Sequence, residues 1–186
     1  TSMIQFSSRK AYTNMGSSIT FGELDKLSDK FACYLLRSLG LKKGDRVAIM
    51  LPNINQYPVA LCGILKAGLV VVNVNPLYTP RELKHQLSDS KAKAILILEN
   101  FANVLSEIID DTSIEQVIIT KIGDMLSFPK NHIVNFVVKY IKKMVPAYEF
   151  KQLASFSDVL SQHEGEELEK IEINLEDIAL LQDTGG

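Results

Sequence analysis

A chain of 186 residues, 46% hydrophobic and 23% charged, is long enough to bury a sizeable core in one domain or in one large piece of a bigger domain. Its formal net charge of -2 leaves no overall basic surplus for nucleic acid, and no acidic tail is present. Cys33 and Cys62 sit among apolar residues with neither CxxC spacing nor nearby histidines. That argues against a metal site and a disulfide scaffold, and for buried thiols in a reducing cytoplasm. Thr1 to Gln5 show no charged stretch leading into an apolar one, so no signal peptide is expected. No run approaches the roughly 18 apolar residues of a spanning helix.

The first helix is well punctuated. Thr20 and Glu23 form a T-x-x-E capping box, and Leu24, Leu27, Phe31, Tyr34, Leu35 and Leu39 recur at helical spacing until Gly40 stops the run. Lys42 to Asp45 reads as a turn, and Val47 to Leu51 is a continuous apolar run of the kind a buried parallel strand shows. A helix from about Ile54 to Ala67 carries Ala60, Gly63 and Ala67, spaced to let another backbone approach closely; Gly68 ends it. Leu69 to Val74 is a β-branched strand. Thr79-Pro80-Arg81-Glu82 opens a third helix with a second capping box and an early proline. Strands over Ala94–Leu98 and Gln116–Thr120 flank a helix over Phe101–Ile109, and Ile178–Leu181 makes a fifth strand. This alternation predicts the α/β class, with a doubly wound, mostly parallel sheet and flanking helices. His163 to Glu169 reads as a polar, exposed loop.

Residues with catalytic potential are sparse. His85, His132 and His163 are far apart and fall in no ligand or triad pattern, so they read as surface histidines. Glu23 and Glu82 read as helix caps before general bases. The one phosphate signal is the terminal Ile178-Ala-Leu-Leu-Gln-Asp-Thr-Gly-Gly186, a strand running into Thr184, Gly185 and Gly186. Backbone N–H groups and hydroxyls of such a loop can hold phosphate oxygens, although Thr-Gly-Gly is also a common plain turn.

A family resemblance narrows these readings. Val47-Ala-Ile-Met-Leu-Pro-Asn53, Gln56-Tyr-Pro-Val-Ala60 and Gly63-Ile-Leu-Lys-Ala-Gly68 resemble the adenylate-forming acyl-CoA synthetases. Val72-Asn-Val-Asn-Pro-Leu-Tyr-Thr-Pro-Arg-Glu-Leu83 is similar to the long-chain fatty-acid–CoA ligase branch, and Asn135 to Pro146 is similar to an insertion of its bacterial members. The likeness runs from about Ala11 to Gly186. It implies that residues 1–186 are the N-terminal part of an AMP-binding domain, ending within the phosphate loop. It further implies nucleotide binding by Thr184, Gly185 and Gly186, with ATP, Mg2+ and coenzyme A serving the whole enzyme. Fatty acid would be activated as acyl-adenylate and passed to coenzyme A. Asp183 departs from the tyrosine usual in the family. No catalytic residue and no metal ligand of the family falls within the chain, so the piece alone is expected to be inactive. Two other readings stay open: a related ligase for other carboxylic acids, and a non-catalytic α/β module that binds a partner or a membrane surface.

Residues 130–146 form a predicted amphipathic helical insertion. Ile133, Val134, Phe136, Val137, Val138, Tyr140, Ile141, Met144 and Val145 spread over a wide apolar arc, with Lys139, Lys142 and Lys143 on the narrow remaining face. One reading is a helix lying in the interface of an anionic membrane, giving a cytoplasmic protein peripheral contact with the inner membrane. The other is packing against the protein itself or against a second subunit in a homodimer.

Overall fold

The computed structural model describes residues 2–162, 168–169 and 171–182. A short helix α1 (Ser2–Gln5) precedes a hairpin of β1 (Lys10–Asn14) and β2 (Ser17–Thr20). Then come α2 (Phe21–Cys33), β3 (Arg46–Met50), α3 (Gln56–Lys66), β4 (Val70–Asn73), α4 (Pro80–Ser90), β5 (Ala94–Leu98), α5 (Ala102–Ser106) and β6 (Gln116–Thr120). The remaining elements are α6 (Lys130–Phe136), β7 (Leu153–Ser155), α7 (Phe156–Gln162) and β8 (Leu180–Gln182).

The apolar runs of the central strands are continuous because both faces of the sheet are covered. Side chains alternate between the faces, and the alternation sorts them into two cores. Val47, Ile49, Val71, Leu96 and Ile118 join one core with Phe31 of α2, Val59 and Ile64 of α3 and Phe156 of α7. Ala48, Met50, Val72, Ile95, Ile97 and Val117 join the other, under Leu83 and Leu87 of α4 and Leu105 of α5. The sheet order is β7-β6-β5-β3-β4-β8, every neighbouring pair is parallel, and the expected doubly wound class is present.

Local signals hold where the side chains themselves make the boundary. Both capping boxes form: Thr20 N–H donates to Glu23 Oε2 at 2.7 Å, and Thr79 N–H to Glu82 Oε2 at 2.8 Å. Gly68, at φ +68°, closes α3 in the left-handed region. Three expectations need correction. The helix expected over Phe101–Ile109 is only the short α5, flanked by tight turns at Glu99–Phe101 and Ile109–Asp111. The last strand starts two residues late, at Leu180. The amphipathic helix continues beyond α6 through a wider turn but stops at Ile141, so residues 142–146 of the expected insertion are not helical and Lys143 turns to φ +51°.

No residue from Lys130 to Ile141 is buried, and Ile133, Phe136, Tyr140 and Ile141 are each more than half exposed. The helix is tied by polar contacts instead. Asn135 Oδ1 accepts from Gly123 N–H at 2.8 Å, Asn135 Nδ2 donates to Asp124 Oδ1 at 3.0 Å, and Lys130 Nζ donates to the Met15 carbonyl. Elsewhere, the part of the expected polar loop that is described behaves differently, for Leu168 packs against the first core. His163 and residues 164–167 lie outside the described residues.

Of the small residues on α3, Gly63 carries the close approach. A Cβ there would sit 2.9 Å from Phe31 Cδ1 and 2.9 Å from the Ser28 carbonyl of α2. Lys66, one turn on, bridges Asp25 and Asp29 at 2.6 and 2.7 Å. Gly63→Val is therefore expected to overpack the α2–α3 seam and cost about 1–3 kcal/mol, roughly 2–12 °C in a thermal melt followed by circular dichroism. An unchanged melting temperature would mean that the seam can open freely.

Candidate functional site

In an open parallel sheet, ligands bind outside the carboxyl ends of the strands, where loops meet without side-chain bulk from the core. β8 lies at the border of the sheet and points its carboxyl end to that edge. Thr184, Gly185 and Gly186, the expected nucleotide-binding residues, lie outside the described residues with Asp183; the described chain runs to Gln182. What it shows is how the strand leading to them is held.

β8 pairs only with β4, in the register Val71↔Leu180, Val72↔Leu181 and Asn73↔Gln182. Upstream, Lys43 Nζ donates to the Glu172 carbonyl at 2.7 Å and pairs with Asp177 at 2.6 Å. Hydrogen bonding from Lys43, then from the Asn174 N–H, holds the Asp177 carboxyl below its usual range. At the other end, Tyr57 Oη of α3 donates to Asn73 Oδ1 at 3.0 Å, and Asn73 Nδ2 donates to Gln182 Oε1 at 2.9 Å. Gln86 of α4 donates to the Asn73 carbonyl at 2.9 Å. Burial pushes the Tyr57 hydroxyl upward in pKa, opposed by its bond to Asn73. Tyr57 and Asn73 were visible in the sequence only as parts of the strings that carry the family resemblance. Their role here needed the register of two strands 109 residues apart.

A second polar cluster gathers at the carboxyl ends of β5 and β6. Gln56 Nε2 donates to Thr120 Oγ1 at 3.2 Å and to the Lys121 carbonyl at 2.8 Å. Lys121 N–H and Thr120 Oγ1 donate to Asp124 Oδ2 at 2.8 and 3.2 Å, and Asp124 in turn holds Asn135. Glu99 follows β5 and is 1% exposed, and its Oε2 has no hydrogen-bond partner among the described residues. Burial pushes its carboxyl upward, Lys121 and Lys139 pull it down, and Asp124 adds to the rise. Neither Glu99 nor Asp124 stood out from the sequence, because each is a lone acid at a strand end.

The other candidates are not brought together. His85 is on the exposed face of α4, and His132 stacks edge-on against Phe128 with centroids 5.9 Å apart. Cys33 is buried and Cys62 half-buried; neither is in a disulfide, and burial raises the Cys62 thiol. Among the described residues no three His, Cys, Asp or Glu converge as a metal site would need. A cavity of about 1090 Å3 lies between the hairpin, α2, residues 124–127 and α7, and Asn73 and Gln182 do not line it.

A doubly wound parallel sheet covered by helices on both faces defines the class of open α/β proteins, which bind ligands beyond the carboxyl ends of their strands. Within that class the chain belongs to the AMP-binding enzyme family, whose model matches residues 2–186. It is 53% identical over 187 residues to the long-chain-fatty-acid–CoA ligase of Escherichia coli O6:H1, covering 100% of this chain and 33% of that protein. It is 35% identical over 186 residues to the Bacillus subtilis protein of the same name, again covering 100% and 33%. The chain thus spans about a third of the length of these curated relatives. In fold it is similar to the anthranilate CoA ligase AuaEII in complex with anthranoyl-AMP, with a TM-score of 0.76 at 18% identity over 98% of this chain and 30% of that one. It is also similar to a long-chain-fatty-acid-CoA ligase from Archaeoglobus fulgidus, with a TM-score of 0.69 at 23% identity over 95% and 30%.

The buried Glu99 carboxyl generates a pH-dependent prediction. Its folded pKa is raised above the unfolded value of about 4.3, so the folded state binds more protons and stability falls as pH rises from there through the folded pKa. Glu99→Gln, which mimics the protonated acid, is expected to leave the melting temperature unchanged near pH 4 and to raise it at pH 8. A larger loss at pH 8 than at pH 4 would show that Lys121 and Lys139 outweigh burial.

Proposed function

We propose that this chain is the amino-terminal third of a long-chain fatty-acid–CoA ligase. The observation carrying this reading is the 53% identity to the Escherichia coli ligase across the whole chain. It is supported by the path of β8, whose carboxyl end at Gln182 reaches the edge where ligands bind such sheets, two residues before Thr184 in the sequence. In the reaction proposed for the whole protein, a fatty-acid carboxylate oxygen attacks the α-phosphorus of ATP and pyrophosphate leaves. The thiol of coenzyme A then attacks the acyl carbonyl, and AMP leaves with the electron pair of the broken C–O bond. The contribution assigned to this chain is nucleotide binding by Thr184, Gly185 and Gly186, which follow a strand held by β4 and Lys43. Among the described residues no three His, Cys, Asp or Glu side chains are grouped so as to hold magnesium.

A finer part of this proposal is peripheral attachment to an anionic membrane through the helix over Lys130–Ile141. Ile133, Phe136 and Ile141 are 57%, 56% and 63% exposed, and Val137 is half-buried beside them. Lys139, Lys142 and Lys143 are all exposed along the same segment. Each lysine near an anionic surface adds about 1 kcal/mol of attraction. A homodimer through the same apolar side chains is the competing occupant.

Two measurements test these readings. Residues 1–186 placed in the Escherichia coli ligase, in exchange for its matching third, are expected to support ATP-dependent thioester formation with palmitate in preference to acetate or benzoate. A folded chimera that makes no thioester, or that prefers a short or aromatic acid, sinks the ligase reading. In the same chimera, Phe136→Asp with Ile141→Asp is expected to weaken sedimentation with phosphatidylglycerol vesicles while sparing thioester formation in detergent. If the double variant instead turns a dimer into a monomer in light scattering and binds vesicles as before, the helix face is a subunit contact.

A further inference from the structure

We infer that the tip of the β1–β2 hairpin is a second point of membrane contact. With the helix over Lys130–Ile141 it forms one basic, apolar surface, which seats the carboxyl edge of the sheet against anionic lipid. This rests on the membrane reading of the helix and extends it to Met15 and Phe128.

Charge is divided unevenly along the chain. Residues 1–22 and 125–148 contain no Asp or Glu, yet they hold Arg9, Lys10, Lys130, Lys139, Lys142 and Lys143. All other residues together carry 14 Lys and Arg against 22 Asp and Glu, a net charge of -8. The fold brings the two acid-free stretches together. Lys130 Nζ donates to the Met15 carbonyl, and Ser127 N–H donates to Ser17 Oγ at 3.4 Å. Of the acids beside the helix, Glu99 is buried, and Asp124 is half-buried and bound by Asn135 and Lys121.

Apolar side chains stand out on the same surface. Phe128 is 81% exposed and Met15 45%, at the opposite end of the helix from Tyr140 and Ile141. Met15 separates a packing role from a contact role. Its φ of +48° lies in the left-handed region, which Asn or Asp adopts with less strain than a long apolar side chain. A residue that breaks a local preference is retained when something else compensates. Packing compensates poorly here, because nearly half of the side chain is in solvent. Contact outside the chain accounts for it.

Both contact points lie at the carboxyl edge of the sheet. Asn14 Nδ2 donates at 3.0 Å to the carbonyl of Asn53, just past β3, and Asn135 holds Gly123 and Asp124, just past β6. A surface seated here turns toward lipid the edge at which open α/β sheets bind ligands. A second copy is a poorer occupant. A two-fold contact pairs each patch with itself, which would set one basic face against another. An anionic bilayer accepts both features at once, apolar side chains below the headgroups and cations at their level.

The test is sedimentation of the chimera described above with phosphatidylglycerol vesicles and with phosphatidylcholine vesicles. Binding to the anionic lipid is expected to be roughly 10-fold tighter and to weaken as salt rises. Met15→Asn and Phe128→Ser are each expected to weaken that binding by roughly 5–10-fold, with thioester formation in detergent unchanged. Met15→Asn is also expected to keep or raise the melting temperature of the parent, since Asn suits the turn. Parental vesicle binding by Met15→Asn overturns the inference, and a lowered melting temperature beside it would assign Met15 to packing. Equal binding to both lipids overturns it too, as does a dimer that Met15→Asn turns into a monomer. Should Phe128→Ser not fold, Met15→Asn decides alone. If Phe136→Asp with Ile141→Asp leaves vesicle binding intact, the membrane reading falls and this inference with it. If that pair abolishes binding while Met15→Asn is indifferent, only the inference falls.

Discussion

The constraint on which the structure depends is that a parallel sheet must be covered on both faces. Every central strand carries apolar side chains alternately to one core and then to the other, and a helix layer closes each side. Such a sheet leaves no room for catalytic polar groups within its layers, because an uncompensated polar group there would cost its full desolvation. Polar chemistry is therefore displaced to the ends of the strands. The Tyr57–Asn73–Gln182 chain and the Gln56–Thr120–Asp124 cluster both stand at carboxyl ends, each bonded to partners that begin a helix or finish a strand.

That division explains what was legible in the sequence. Ala94–Leu98 and Gln116–Thr120 were readable to the residue because burial imposes an apolar run, unbroken across the first and spanning Val117 to Ile119 in the second. The two capping boxes were readable because Thr20, Glu23, Thr79 and Glu82 make their own boundaries. The hairpin was harder to see. Its turn uses Met15 and Gly16 at φ +48° and +78°, a primed turn in which Met15 stands where Asn or Asp is usual. β7 is three residues long and follows no period, while α7 left a weak trace in Phe156, Val159 and Leu160 at helical spacing. The candidate site was legible only as a terminal tripeptide with a family likeness. The groups that brace it are single residues whose meaning lies in pairings across more than a hundred positions.

The helix over Lys130–Ile141 obeys a different rule from the rest. Its apolar arc was visible in the sequence, but periodicity alone cannot say what covers an arc. In the folded chain none of its residues is buried, and its attachment runs through Asn135 to the same Asp124 that organises the carboxyl end of β6. An apolar helix fixed by polar bonds keeps its hydrophobic surface outward, which is the reverse of how α2, α3 and α4 are fixed. This arrangement leaves apolar area exposed at Ile133, Phe136, Tyr140 and Ile141.

The two borders of the sheet show how this edge chemistry is kept in register. β7 and β8 are both three residues long, and short border strands present few free backbone groups to a foreign strand. The same shortness weakens their hold on whatever follows them. At β7 that matters little, because α7 begins in the next residue and buries Phe156 in the first core. β8 is followed by no such anchor among the described residues. Its register is secured by polar groups at each end instead, Lys43 on Glu172 and Asp177 before the strand and Asn73 on Gln182 at its close. A strand fixed at both ends by side chains of the neighbouring layers can stay short enough to resist foreign pairing and still hold its register.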